Sequence, residues 1–185
     1  MVAKESSSSA DDTEYSAQLQ KIQAAGAELL YAPYYYSVAG PYIIPQARSV
    51  GFEGYVMGPD GYDGLKLTGD KSQYDKTFYT THYSADDDSN EKVQDFIKGF
   101  EKAYGAAPNT FSALGYDTIY MIKQAIEDAG DDLTREAVRN AVAGMEFEGV
   151  TGSFTMDKSG SPTKTVVVLE LKDGEPTYNT TIQPK

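Results

Sequence analysis

The chain has no cysteine, and its only histidine is His82. The absence of cysteine excludes disulfides, thiolate nucleophiles and cysteine-ligated metals, although it leaves the cellular compartment undecided. A single histidine excludes paired-histidine metal sites, and a lone histidine is more often structural than catalytic. No Ser-His-acid set, dinucleotide-binding glycine fingerprint or phosphate loop ending in Lys-Ser or Lys-Thr is present. We therefore expect no enzymatic activity, no metal ion and no cofactor.

Basic residues are scarce, since 16 Lys and Arg stand against 28 Asp and Glu, for a formal charge of −12. Nucleic acids and anionic membrane surfaces attract basic patches, so neither is an expected partner. No run approaches the ~20 apolar residues that a membrane helix needs. A basic N-terminal region followed by an apolar stretch, the mark of a signal peptide, is also missing. The sequence thus predicts a soluble chain without an export signal.

Helices and strands alternate over the first half of the 185 residues, a length that fits one ordinary domain or two small ones. Periodicity predicts helices over residues 16–25, capped by Thr13, and 41–50, imperfect because of Pro41 and Pro45, with a short helical turn at 65–69. Predicted strands occupy residues 28–34, 54–58 and 77–83, and residues 1–4 resemble the end of another. The pattern indicates an α/β fold with a parallel sheet.

The character of the chain changes after the acidic run 86–88. Asp88 and Glu91 resemble a capping box that opens a helix ending near residue 104. Further helices are predicted over residues 110–129 and 134–143, the first with Leu114, Ile119, Ile122, Ala125 and Ile126 facing inward. The last forty residues favour a β meander. A calcium site at the acidic run is disfavoured, because its spacing fits no EF-hand.

Aromatic and acidic side chains follow two neighbouring predicted strands. Tyr35 and Tyr36 come after the strand at 28–34, and Asp60 comes after the strand at 54–58. Ligands of open α/β sheets bind outside the carboxyl ends of the strands, so a small ligand with a cationic group is the natural occupant. From the residues alone, Asp60 is also compatible with a simple Asp-Gly turn, and Tyr36 with a core or rim position.

Seven segments in the same order carry a resemblance to a known family. The chain resembles the type I periplasmic binding proteins of branched-chain amino acid (leucine, isoleucine, valine) ABC transporters. No single segment is a specific motif, but together they cover nearly the whole chain. The segments are Tyr15-Ser16-Ala17-Gln18-Leu19, Tyr35-Tyr36-Ser37, Gln46-Ala47-Arg48-Ser49-Val50-Gly51, Gly58-Pro59-Asp60-Gly61, Thr80-Thr81-His82-Tyr83-Ser84, Phe111-Ser112-Ala113-Leu114-Gly115-Tyr116-Asp117 and Phe147-Glu148-Gly149-Val150-Thr151-Gly152.

The resemblance implies a partial periplasmic-binding-protein-like I fold. Family members have about twice this length, with two α/β lobes joined by three crossovers. By analogy, residues 1–84 and 163–185 belong to the second lobe, with its parallel sheet and helices, and residues 85–162 are a helical part of the first lobe. The core of the N-terminal lobe has no counterpart, so the chain is expected to be the C-terminal half of a longer protein.

The same resemblance assigns roles to individual residues. It implies that Asp60 accepts hydrogen bonds from the ligand's α-ammonium group and that Tyr36 contacts the ligand. A one-residue insertion before Gln46 makes Tyr35 the alternative to Tyr36. Tyr62 is expected to form a pocket wall. Phe111 corresponds to a first-lobe aromatic residue that lines the aliphatic part of the pocket, although in an isolated half it could be a core residue.

The implied function is that of an extracytoplasmic substrate-binding component of an ABC importer for branched-chain or related amino acids. The ligand would be enclosed between two lobes by hinge closure, and a membrane permease would be the partner. Because the first lobe's carboxylate-binding groups are missing, this chain is expected to bind free amino acids weakly or not at all. The apolar helix faces at 89–104 and 110–129 have lost their cover. We expect them to pack against each other, against the remaining sheet, or in a symmetric or swapped homodimer. A ligand-sensing receptor or regulatory domain of the same fold is the alternative.

Overall fold

A computed structural model describes residues 1–9, 12–85 and 91–184. The acidic run 86–88, and with it the Asp88 side of the predicted capping box, lies outside the described residues. The chain divides into two compact units, which are considered separately. Unit 1 comprises Met1–Thr81 and Val168–Thr180, and unit 2 comprises His82–Val167 and Thr181–Lys185. The family lobes assigned from sequence have nearby boundaries, and that assignment stays a prediction.

Unit 1 is built on a five-stranded sheet in the order β1-β2-β3-β7-β8. The first three strands are parallel, with Leu30 opposite Val56 and Val56 opposite Thr77. The sequence therefore predicted the parallel sheet correctly. A two-residue turn joins β7 to β8, with Asp173 and Gly174 both at positive φ. The strands are β1 (Leu29–Tyr31), β2 (Tyr55–Gly58), β3 (Thr77–Thr81), β7 (Val166–Lys172) and β8 (Glu175–Ile182).

Helix α1 (Ser16–Ala24) precedes β1, and an unbroken helical segment joins β1 to β2. That segment comprises α2 (Tyr36–Val38), a π-helical stretch (Ala39–Ile43) and α3 (Ile44–Ser49). Pro41 lies within the π-helical stretch and Pro45 lies two residues after its end. Because neither proline has the N–H group that a regular α-helical ladder requires, the helix widens here. Short 3₁₀ helices at Asp60–Tyr62 and Lys71–Tyr74 occupy the connection from β2 to β3.

Three local predictions for unit 1 were wrong. Residues 65–69 form no helical turn, because the 3₁₀ helices lie on either side of them, and residues 1–4 form no strand. Thr13 does not cap α1, whose N-cap position is Tyr15. Gln46 of α3 substitutes for a local cap, since its Oε1 accepts the Tyr15 N–H at 2.7 Å and its Nε2 donates to the Thr13 carbonyl at 2.8 Å.

The two faces of the parallel strands differ in burial. Leu30 and Val56 are 6% and 0% exposed, whereas Leu29, Tyr31 and Tyr55 are more than half exposed. Parallel sheets are normally covered by helices on both faces. On its open face this sheet presents an apolar surface that includes the Tyr55–Phe78 ring pair, with centroids 5.9 Å apart.

Two adjacent positions of β2 test this difference between the faces. We expect Val56→Thr to lower the free energy of unfolding by about 2 kcal/mol, because a hydroxyl would enter an apolar interior without a partner. Tyr55→Thr on the open face should change it by less than about 1 kcal/mol and should reduce binding of an apolar dye. Urea denaturation measures both variants, and equal losses would contradict the one-sided burial.

The part of unit 2 that the structure describes combines three helices with a three-stranded antiparallel sheet in the order β4-β5-β6. One buried cluster gathers Tyr83, Val93, Phe96, Ala113 and Val150, and a second centres on Ala125, Met145, Phe147 and Met156. The elements are α4 (Glu91–Tyr104), α5 (Thr110–Ala129), α6 (Arg135–Val142), β4 (Glu146–Gly149), β5 (Gly152–Met156) and β6 (Pro162–Lys164).

The predicted β meander is divided between the two sheets, because β5 belongs to the three-stranded sheet and β7 and β8 belong to the five-stranded sheet. The short strands β4 and β6 were not predicted. The inward face of α5 was predicted correctly only in part. Ala125 is completely buried and Leu114 is partly buried, but Ile119, Ile122 and Ile126 are 66%, 46% and 43% exposed. Hydrophobicity alone could not indicate which side of this helix faces the β4 strand. No helix in the described ranges is both long and apolar enough to cross a membrane.

Asp117 is a buried carboxylate, 3% exposed, that joins α5 to the turn between β4 and β5. Its oxygens accept hydrogen bonds from the Val150 N–H at 2.9 Å, the Thr151 N–H at 2.8 Å and the Thr151 hydroxyl at 2.6 Å. Gly149 makes room for the carboxylate, because a Cβ there would overlap it. A single side chain thus satisfies three donors in the interior of unit 2.

Removal of this carboxylate should be costly. We expect Asp117→Ala to lower the free energy of unfolding by about 3 kcal/mol, because the buried donors would lose their acceptor. The control is Asp128→Ala on the same helix, where an exposed carboxylate should contribute no more than about 0.5 kcal/mol. A loss of similar size in both variants, measured by urea denaturation, would contradict this role for Asp117.

Candidate functional site

The carboxyl ends of β1 and β2 lie side by side in unit 1. The ladder continues beyond β1, since the Ala32 N–H donates to the Met57 carbonyl at 3.0 Å. From this point the chain runs through Pro33 to the aromatic residues, while β2 runs through Pro59 into the 3₁₀ turn Asp60–Tyr62. Both loops therefore start from one edge of the sheet, where α/β proteins bind ligands.

Tyr62 joins the two strand ends from within. Its side chain is completely buried, and its hydroxyl donates to the Ala32 carbonyl at 2.8 Å. The ring lies directly over Gly58, where a Cβ would come within 2.3 Å of it. Burial raises the pKa of the Tyr62 hydroxyl, so it stays protonated and remains a donor. Tyr62 occupies the interior under the site and exposes no wall to solvent.

Tyr35 packs beside the turn that carries Asp60. A Cβ added to Gly61 would lie 3.2 Å from the Tyr35 ring, so the ring rests against this glycine. The Tyr35 side chain is 67% exposed, and Asp60 is partly exposed. The Asp60 carbonyl closes the turn by accepting the Asp63 N–H at 3.0 Å. The structure thus brings together an accessible aromatic ring and the turn bearing a carboxylate.

Tyr36 has a different environment from Tyr35. The Lys66 ammonium lies 5.6 Å from the centroid of its ring, within the range of a cation–π contact. The Lys66 N–H also donates to the Tyr36 carbonyl at 3.4 Å. Of the two candidate tyrosines, Tyr35 is therefore the one that contacts the Asp60 turn, while Tyr36 faces the segment after it.

The remaining sequence candidates lie outside this group. Phe111 belongs to unit 2, in the first turn of α5 after the N-cap residue Asn109, and is 43% exposed. His82 directly follows β3 and is partly buried. Within the described ranges no cluster of three His, Asp or Glu side chains is arranged to hold a metal ion.

Sequence reasoning missed two contacts that shape the site. Lys66 was not singled out, although it faces Tyr36. The Tyr62–Ala32 hydrogen bond was also missed, because two residues thirty positions apart give no local pattern. One signal was available: Gly58 ends a buried strand, and a glycine in a strand often marks the close approach of another group.

Comparison with known proteins identifies the family. Residues 2–176 match the model of the "Periplasmic binding protein" family. A leucine-, isoleucine-, valine-, threonine- and alanine-binding protein of Pseudomonas aeruginosa is 27% identical over 154 residues, covering 82% of this chain and 40% of its own length. A Leu/Ile/Val-binding protein homolog of Brucella melitensis is 28% identical over 153 residues, with shares of 80% and 40%.

Solved structures agree with these relatives. A leucine-binding protein of Thermotoga maritima superposes with a TM-score of 0.81 at 30% identity, covering 94% of this chain and 50% of that one. A branched-chain amino acid transporter substrate-binding protein of Streptococcus pneumoniae, in complex with isoleucine, gives 0.80 at 26% identity over the same shares.

The chain belongs to the type I periplasmic binding proteins of the branched-chain amino acid family. The predicted family and fold class are confirmed. The family and the relatives named above are solute-binding proteins rather than enzymes. This chain spans about two-fifths of the length of these curated relatives and half that of the solved structures.

Proposed function

We propose that this chain contributes to the substrate-binding component of an ABC importer for branched-chain or related amino acids. The observation that carries the proposal is the position of Tyr35 against the Asp60 turn, at the carboxyl ends of two parallel strands. An extracytoplasmic location and a membrane permease as partner belong to the same proposal. The related proteins that bind leucine and isoleucine support the choice of ligand class.

In this proposal Asp60 accepts hydrogen bonds from the ligand's α-ammonium group. A charge-assisted hydrogen bond is stronger than a neutral one and favours amino acids over simple carboxylic acids. The exposed Tyr35 ring supplies apolar contact for the ligand beside that charge. Tyr36 has a secondary place, because its ring already faces Lys66.

Groups for the ligand carboxylate are not part of this cluster. We place them on the opposing wall of a cleft that closes on the ligand by hinge motion, with the aliphatic side chain in contact with Phe111. This chain would then bind free amino acids weakly. No observation favours the alternative of a sensory receptor, which stays a prediction from the resemblance.

Asp60→Asn tests the ammonium contact. The substitution should weaken binding of leucine by roughly tenfold, since a charged hydrogen bond contributes ~1.5–3 kcal/mol and Asp60 is only partly buried. Binding of 4-methylpentanoate, which has the same carbon chain without the amino group, should be unaffected. Titration followed by amide chemical shifts measures both ligands even at millimolar affinity.

The matched control is Asp63→Asn, which removes a neighbouring charge three residues further along the same loop. It should leave the ratio of leucine to 4-methylpentanoate affinity unchanged. An equal effect of both substitutions, or an equal loss for both ligands, would mean that Asp60 acts through general electrostatics and makes no contact with the ammonium group.

We further propose that the exposed apolar face of α5 mediates a homodimer. Ile119, Ile122 and Ile126 share this face with Tyr116 and Tyr120, whose rings are in contact with 4.7 Å between centroids and an interplanar angle of 41°. The Tyr116 hydroxyl donates to that of Tyr120 at 3.3 Å, and this bond raises the pKa of Tyr116 to about 12. A contiguous apolar surface of this kind is typical of interfaces.

Light scattering after size-exclusion chromatography tests the dimer. Ile119→Lys should shift the chain toward the monomer mass, because a charge would be buried at the interface. Thr118→Lys adds the same charge at the adjacent exposed position and should leave the mass unchanged. A monomeric unsubstituted chain would contradict the proposed dimer.

A further inference from the structure

Tyr62 was expected to form a wall of the ligand pocket, but its side chain is completely buried. It is fixed at both ends: the hydroxyl by the Ala32 carbonyl at 2.8 Å, and the ring by Gly58 beneath it. Ala32 directly follows β1, and Gly58 is the last residue of β2. Because Tyr62 contacts both strand ends, it fixes the position of one strand end relative to the other.

The two strand ends carry the two accessible site residues. Ala32 lies three positions before Tyr35, and Gly58 lies two positions before Asp60. The Tyr62 N–H also donates to the Pro59 carbonyl at 3.0 Å, which fixes the turn that begins at Asp60. Any displacement of Tyr62 therefore alters the spacing between the Tyr35 ring and the Asp60 carboxylate.

We propose that Tyr62, seated on Gly58, is a positioning residue that sets this spacing for the ammonium group of the ligand without touching the ligand. This role rests on the proposed amino acid binding. Its physical basis is that exposed loops need a fixed support to hold binding groups in place, and a buried hydrogen bond to a backbone carbonyl supplies one.

Tyr74 provides a matched control. It is also completely buried, and its hydroxyl donates to a backbone carbonyl, that of Gly40, at the same distance of 2.8 Å. Tyr62→Phe and Tyr74→Phe thus both remove a hydroxyl that donates to a backbone carbonyl of the same unit, and Tyr74→Phe also removes the acceptor of the Thr68 N–H, at 2.8 Å. Tyr74→Phe should therefore lose at least as much stability as Tyr62→Phe, but only Tyr62 connects the strand ends that carry Tyr35 and Asp60.

The experiment is a leucine titration of the 185-residue chain, followed by amide chemical shifts. We expect Tyr62→Phe to raise the Kd for leucine about fivefold, with no change in Tyr74→Phe. Gly58→Ala, which disturbs the ring from the other side, should weaken binding at least as much. Unchanged leucine affinity in Tyr62→Phe, or an equal loss of affinity in Tyr74→Phe, would overturn the positioning role.

Amide hydrogen exchange separates this inference from the proposed function. If the unsubstituted chain does not respond to leucine, the proposed contact of this chain with the free amino acid fails, and exchange alone decides whether Tyr62 holds the two loops. Faster exchange at Ala32 and Asp63 in Tyr62→Phe, but not in Tyr74→Phe, supports the positioning role. Equal exchange in the two variants overturns it.

Discussion

The contact of Tyr62 with Gly58 and Ala32 is the constraint on which the proposed site depends. Parallel strands fix the directions of their own backbones, but the loops beyond them have no ladder to hold them. Tyr62 extends the order of the sheet into these loops, because its ring lies over the end of β2 and its hydroxyl binds the residue after β1. The Tyr35 ring and the Asp60 turn then meet on a supported surface.

Unit 2 uses the same principle with different chemistry. There the buried group is the carboxylate of Asp117, which binds the turn after β4, and Gly149 leaves the space that the carboxylate occupies. In both units a strand ends in a glycine whose missing Cβ admits a side chain from another element. These glycines are needed for close approach and not for their backbone angles, since neither adopts a positive φ.

The sequence predicted the fold class, the three parallel strands and the long helices, because hydrophobic periodicity reports which residues avoid water. It failed where burial depends on a distant partner. Ile119 and Ile126 were expected on the buried face of α5, yet both are exposed. The helix instead buries Asp117, because the turn after β4 supplies three hydrogen-bond donors to its carboxylate. In the same way, Tyr62 was expected to be a pocket residue because it lies two positions after Asp60. Its hydrogen bond to the Ala32 carbonyl is evident only from the folded structure. Local pattern indicated where the proposed site lies, but it could not distinguish exposed groups, which are available to a ligand, from buried groups that support them.

Energetics limit what this half-site can achieve alone. A dissociation constant of 1 mM corresponds to about −4 kcal/mol and one of 1 μM to about −8 kcal/mol. One charge-assisted hydrogen bond contributes ~1.5–3 kcal/mol, and solvent screening lowers this figure for a partly exposed acid such as Asp60. An aromatic contact with Tyr35 adds a similar amount at most. On these figures the cluster in unit 1 would supply millimolar affinity at most, and micromolar binding would need further groups, such as the proposed second wall that holds the carboxylate and excludes water from the acid. In the proposed closed state the Tyr62 support would matter most, because a displaced Asp60 would then be buried without its partner.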